Sequence, residues 1–222
     1  MTGKRRIGGR KDRKILIISE DEKSFILYFE KLLQEIRYHK IEEYFKTESA
    51  GNKNGVITKI KLTHIGKTDT KNIVNKANKE SSKYEKIFCV FDAENEEKLK
   101  KDLEIQVKQN VKKIISFPCY EAWLLMHFTT NLNEDKFQKI NAADLITELS
   151  NQYLLKFGKE GLQFGTLVNY RKNQMSEQIF KWFYANLNTA KANAQRLRNE
   201  NKKHLSTEID LLINELENFS VA

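Results

Sequence analysis

Ile87-Phe88-Cys89-Val90-Phe91 are five consecutive apolar residues that stop on Asp92-Ala93-Glu94. Without polar alternation, such a run reads as a strand covered on both faces, the habit of parallel sheets flanked by helices. This restricts the chain to an α/β architecture more firmly than composition does. Asp92 and Glu94 then fall where the strand leaves the core. In an open α/β sheet the loops after parallel strands open together on the ligand edge. Two acids there are either metal ligands or a polar loop, and the choice depends on what joins them.

Reading from the N-terminus, Lys14 to Glu20 contains Ile15-Leu16-Ile17-Ile18 and reads as a buried strand ending on Glu20. Phe25, Ile26, Phe29, Leu32, Leu33 and Ile36 recur at helical spacing, so a helix is predicted from Glu22 to about Tyr38, with Asp21 and Glu22 at its dipole-favoured start. Lys46 to Asn54 reads as a loop. Val56 to Ile65 alternates as a second strand, in which His64 is read as structural. Asp69 or Thr70 caps a helix to about Tyr84, with Ile73, Val74 and Ala77 inward. After the apolar run, Asn95 to Gln109 reads as a charged helix with Leu99, Leu103 and Val107 inward, and Val111 to Phe117 as a fourth strand.

Pro118, the only proline, is predicted at the first helical position of a nearly all-apolar helix that carries Glu121 in its first turn. Beyond Asn133 the spacing is helical: Phe137 to Leu155, then a glycine-spaced loop from Phe157 to Thr166, Gln174 to Asn199, and Thr207 to Phe219 started by Ser206 or Thr207. The expected organisation is a basic arm over 1–13, an α/β domain over 14–130 and a helical part over 131–222 that packs on the sheet or caps it.

The formal charge of +9 is unevenly spread. Residues 1–14 hold seven cations against Asp12 alone, which accounts for six of the nine charges. Arg5, Arg6, Arg10, Lys11 and Arg13 therefore make an arm suited to phosphate contacts, or a solubilising tail. Lys172 and Arg196 in the helical part are candidates for the same nucleic-acid contacts. Cys89 and Cys119 are the only cysteines, too few for a disulfide framework or a four-ligand zinc site. With no signal-peptide pattern and no apolar run long enough for a membrane span, a cytoplasmic location without membrane contact is expected.

Four parallel strands would deliver Glu20, Asp92 with Glu94, and Glu121 to one edge. Crowded carboxylates need a cation or shared protons, and hard oxygen donors suit Mg²⁺ or Mn²⁺. An ion so held can activate water against a phosphodiester of DNA or RNA. Lys23, one helical turn from Glu20, would offset phosphate charge or is an ordinary surface lysine; Glu121 is either a site residue or a helix N-terminal acid.

The stretch from Ile15 to Ser24, Val90-Phe91-Asp92-Ala93-Glu94, and above all Phe117-Pro118-Cys119-Tyr120-Glu121-Ala122-Trp123-Leu124-Leu125-Met126-His127-Phe128 resemble the RloB family, as do Ala190 to Asn193 and Ser206-Thr207. The resemblance implies a TOPRIM-like fold, here a mostly parallel sheet of about four strands with a C-terminal helical part. It also implies a place in bacterial restriction-linked or abortive-infection loci, often beside an ATPase partner. By similarity to TOPRIM enzymes, Glu20 would act as general acid or base, Asp92 and Glu94 would hold the metal with it, and Glu121 would be a further site residue. The chain departs from the family pattern in having Asp21 where a glycine is usual, Phe25 where a glutamate is usual, and Glu94 in place of the second aspartate. The expectation is a metal-dependent nuclease of an anti-phage system; the alternative is a non-catalytic nucleic-acid-binding or effector-recruiting module.

Overall fold

The structure, a computed structural model, describes residues 13–21, 24–40, 58–65, 69–128, 137, 140–162, 175–200 and 205–221. Its centre is a five-stranded sheet built from β1 (Arg13–Ser19), β2 (Thr58–His64), β3 (Lys86–Asp92), β4 (Val111–Phe117) and β5 (Ser206–Thr207). The spatial order is β2-β1-β3-β4-β5. The first four strands are parallel, with Ser19 opposite Val90 and Asp92 opposite Ser116, while β5 runs antiparallel along the end of β4.

The uninterrupted apolar runs are explained by two helical layers. Ile15 and Ile17 of β1 and Phe88 and Val90 of β3 face one layer, which holds α1 (Ser24–Lys40), α4 (Glu121–Leu125), α5 (Ala142–Leu162), α6 (Glu177–Ala185), α7 (Leu187–Asn199) and α8 (Ile209–Val221). Leu16, Ile18, Ile87, Cys89 and Phe91 face the other, where α2 (Thr70–Glu80) and α3 (Glu96–Glu104) lie. Alternate residues point to opposite faces of a strand, so a strand covered on both faces must be apolar throughout. The C-terminal helices thus share one continuous core with α1 and the sheet, in which Trp123, Phe180 and Phe183 are almost fully buried.

The topology has one consequence for function. The chain leaves β1 toward α1 on one face and leaves β3 toward α3 on the other, although β1 and β3 are neighbours. Diverging connections at adjacent parallel strands open a crevice at their carboxyl ends, the topological switch point of an α/β sheet. Glu20 and Asp92 stand at that point.

Several local expectations are corrected. The helix after β3 ends at Glu104, not Gln109, because Ile105 and Val107 turn into the second core layer; Lys113 Nζ takes the carbonyls of Asp102, Leu103 and Ile105 at 2.9, 2.6 and 3.0 Å. Leu103, expected inward, is 58% exposed, whereas Asp102 is 4% exposed. Pro118 is not a first helical residue: it follows a cis peptide bond, and α4 begins only at Glu121. Helix α5 covers Ala142–Leu162, later than expected at both ends, and passes through the residues read as the start of a loop. At Gly158 it breaks in the left-handed region, φ 60°, which costs a glycine little. The single helix expected over 174–199 is two, divided at Asn186. Ser206-Thr207 is a strand and not a helix start, held by Ser116 Oγ to Thr207 Oγ1 at 2.9 Å and by Glu208, whose Oε2 accepts the Ile115 N–H at 3.0 Å.

Candidate active site

Glu20 is the first residue beyond β1. Its N–H donates to Val90 O at 2.9 Å, and its Oε2 accepts the Asp92 N–H at 3.4 Å, so the ends of β1 and β3 are tied together across the crevice. Its carboxyl is half-buried and held above the ordinary glutamate value, first by desolvation and further by the charges of Glu94 and Asp102; Lys98 and the Asp92 N–H pull the other way. Asp92 is partly exposed and Glu94 exposed, as suits a strand end opening to solvent.

Glu121 arrives from β4. Its side chain belongs to a residue only 3% exposed, and Oε1 has no hydrogen-bond partner. Cys119 lies between these groups in electrostatic terms. Burial raises its thiol strongly, and the charges of Glu121 and Asp92 raise it further. A thiol kept protonated is a poor nucleophile, so Cys119 serves here as a small buried residue.

One group at the rim was not singled out from the sequence. Lys98, one turn into α3, hydrogen-bonds through Nζ to the Asp92 carbonyl oxygen, to Asp102 Oδ2 at 3.2 Å and to Thr70 Oγ1 at 3.4 Å; it lies 3.9 Å from Glu20 Oε2. The signal available was the i,i+4 spacing of Lys98 and Asp102 on the helix directly after the acidic turn. It was masked by the apolar spacing that pointed to Leu103.

The remaining expected residues fall elsewhere. Arg5, Arg6, Arg10, Lys11, Lys23 and Lys172 lie outside the described residues, as does the loop read over 46–54. Arg13 opens β1, where its guanidinium holds Glu85 at 2.8 Å, about 23 Å of strand away from Glu20. Arg196 is half-buried on α7, with Nη2 3.5 Å from Asn193 Oδ1. Asp21 caps α1, its Oδ2 accepting from the Ser24 hydroxyl and from the Phe25 N–H at 3.2 Å. Phe25 is buried, stacked on Phe29 at 4.2 Å and edge-on to Tyr120 at 5.5 Å, so the ring at this position serves the core.

His127 shows how the distinctive block from Phe117 to Phe128 divides its work. Glu121 is buried beside Cys119 with Oε1 unpartnered; His127 is buried, with Nδ1 3.0 Å from Trp123 O and Nε2 3.4 Å from Tyr28 OH. Desolvation pushes its imidazole down to about 3 despite the carbonyl contacts. The folded state therefore favours neutral His127. That contribution is fully present above the unfolded value near 6.5 and fades as pH falls toward about 3, by roughly 1.4 kcal/mol per pH unit. Urea titrations between pH 7 and 4 should show stability falling through this window and a shallower fall in His127→Leu. Equal slopes would contradict this.

Among the described residues, no three His, Cys, Asp or Glu side chains form a group that could hold a metal ion. In donor chemistry the rim still suits one: Glu20, Asp92 and Glu94 offer only hard oxygens, and Glu121 Oε1 is a buried oxygen lacking a donor. Fold and strand order together define an α/β protein with a mainly parallel sheet and with Glu20 and Asp92 at its switch point. The chain belongs to the RloB-like protein family, whose model matches residues 15–216, nearly its whole length. Comparison with curated proteins and with solved structures gave no match. No helix among the described residues is long and apolar enough to cross a membrane.

Proposed function

We propose that this chain hydrolyses phosphodiester bonds of DNA or RNA with Mg²⁺ or Mn²⁺, as the nuclease of a bacterial anti-phage defence system. The observation that carries the reading is the placement of Glu20 beside Asp92, with a hydrogen bond across the switch-point crevice at 3.4 Å. A divalent ion bound there supplies Lewis acidity and an activated water. Asp92, Glu94 and Glu20 would hold it. Glu20, whose carboxyl burial raises above the ordinary glutamate value and whose Oε2 accepts the Asp92 N–H, is the group suited to exchange a proton. Glu121, buried beside Cys119, adds negative charge that favours a cation at the rim. The resemblance to TOPRIM enzymes supports these roles, and family membership supports a defence setting, with an ATPase as candidate partner and a cytoplasmic location.

A second reading is favoured by one observation: Glu20 already has Lys98 3.9 Å away as a cation, and no three-ligand group is assembled among the described residues. On that reading the chain binds nucleic acid, or recruits an effector, without cutting.

Cleavage assays on single- and double-stranded DNA and RNA, with Mg²⁺, Mn²⁺ or chelator, separate the two. The nuclease reading expects metal-dependent cleavage of at least one substrate. The binding reading expects none, with affinity carried by the arm. Truncation after residue 12 spares the Arg13–Glu85 pair, and should flatten the salt dependence of binding by roughly 0.7–0.9 in log–log slope for each phosphate the arm no longer neutralises. An unchanged slope would remove the arm from the interface.

A further inference from the structure

We propose that Lys98 is a built-in cation which occupies the rim while the metal is absent and must withdraw, pivoting on Asp102, for a divalent ion to bind. The inference rests on the metal-site reading above and adds a regulatory residue to it. Carboxylates converging at the end of a sheet repel unless something positive lies between them. Lys98 Nζ fills that need here: it bonds the Asp92 carbonyl, sits 3.9 Å from Glu20 Oε2 and 5.9 Å from the Phe91 ring centroid. A divalent ion held by Glu20 would have its oxygens at about 2.0–2.1 Å, which leaves no room for an ammonium in contact with the same carboxylate without strong cation–cation repulsion.

The anchor at the other end makes withdrawal feasible. Asp102 follows Lys98 by one turn on α3; its side chain is only 6% exposed and bonds Nζ at 3.2 Å. A carboxylate buried to that degree keeps its cation, so Lys98 leaves Glu20 and the Asp92 carbonyl but stays with Asp102. Its ammonium then lies beside the crevice, where it faces the negative charge of an incoming phosphodiester. Metal binding and the position of Lys98 become linked, and each opposes the other in its rim position.

Removing the ammonium should therefore tighten metal binding. If Lys98 is only a structural tie between α3 and β3, its loss should leave metal affinity unchanged or weaker. The test is Mn²⁺ titration of the full chain, with free ion followed by electron paramagnetic resonance. Lys98→Met is expected to bind roughly tenfold more tightly than wild type, and Lys98→Arg, which keeps the charge, close to wild type. Equal or weaker binding in Lys98→Met, with wild type binding normally, overturns the inference and leaves the metal site standing; absence of binding to both proteins overturns both.

A second measurement needs no variant and stands even if Lys98→Met fails to fold. Acylation of wild-type lysines mapped by mass spectrometry should show Lys98 reacting faster with Mn²⁺ present. Lys101, 71% exposed and paired with Glu97 on the outer face, serves as reference. A Lys98 rate unchanged or lowered by Mn²⁺, relative to Lys101, overturns the proposal.

Discussion

Glu20→Gln is expected to lower metal-dependent cleavage by about 10²–10⁴-fold, the range a positioned general acid or base contributes, without unfolding the protein. Glutamine keeps the shape and can still accept the Asp92 N–H, now at 3.4 Å from Glu20 Oε2, but it can neither exchange a proton nor offer a charged ligand. Stability should move the other way. The folded carboxyl lies above its ordinary value because burial and the neighbouring charges of Glu94 and Asp102 disfavour ionisation. Its contribution is therefore fully favourable only below the unfolded value near 4.3 and is lost as pH rises through the elevated folded value. At pH 7 the ionised group opposes folding, so the variant should match or exceed the wild-type Tm by up to about 3 °C, an advantage that shrinks at pH 4. A variant that still cuts at the wild-type rate would remove Glu20 from the chemistry; one that loses activity together with its fold would make it structural.

The largest effect on stability is expected at Arg198. Its guanidinium grips Asp210 through two bonds of 2.5 Å and donates to Thr207 O at 2.6 Å, joining α7, β5 and α8. The Asp210 side chain is only 3% exposed. Arg198→Met would strand that carboxylate in the interior, a loss of about 3–5 kcal/mol. In a chain of this size that lowers Tm by roughly 10 °C, measurable by differential scanning calorimetry. The double variant Arg198→Met/Asp210→Leu should recover much of the loss, because two apolar groups need no partner. A drop below about 2 °C in the single variant, the low end for a 1 kcal/mol change, or a double variant no better than the single, would show that the pair contributes little.

What could be read from the chain follows from what each residue's neighbours in sequence can encode. Ile15 to Ile18 and Ile87 to Phe91 announce burial on both faces because no polar residue interrupts them, and this implies helices on both sides. Right-handed crossovers then bring the ends of parallel strands to one rim, so Glu20 and Asp92 could be paired before any coordinates. Lys98 and Asp102 could not. Their burial depends on which face α3 turns to the sheet, and the apolar residues of that segment favour a face that leaves Leu103 inside. In the fold, Lys113 ends the helix and turns Leu103 out.

Strand β5 was equally hidden, since two residues carry no period and are fixed by partners about ninety positions away, Ser116 and Ile115. Asp21 was legible as a helix-start acid, but its engagement with the Ser24 hydroxyl and Phe25 N–H was not.

The central claim is that acids from separate βα units make one cation-ready pocket at the switch point. Calorimetric titration of Mn²⁺ into wild type and Asp92→Asn tests it before any nucleic acid is known. A saturable site is expected in the wild type and should disappear in the variant while the variant stays folded. Identical heats from the two proteins, or no binding by the wild type, would contradict it.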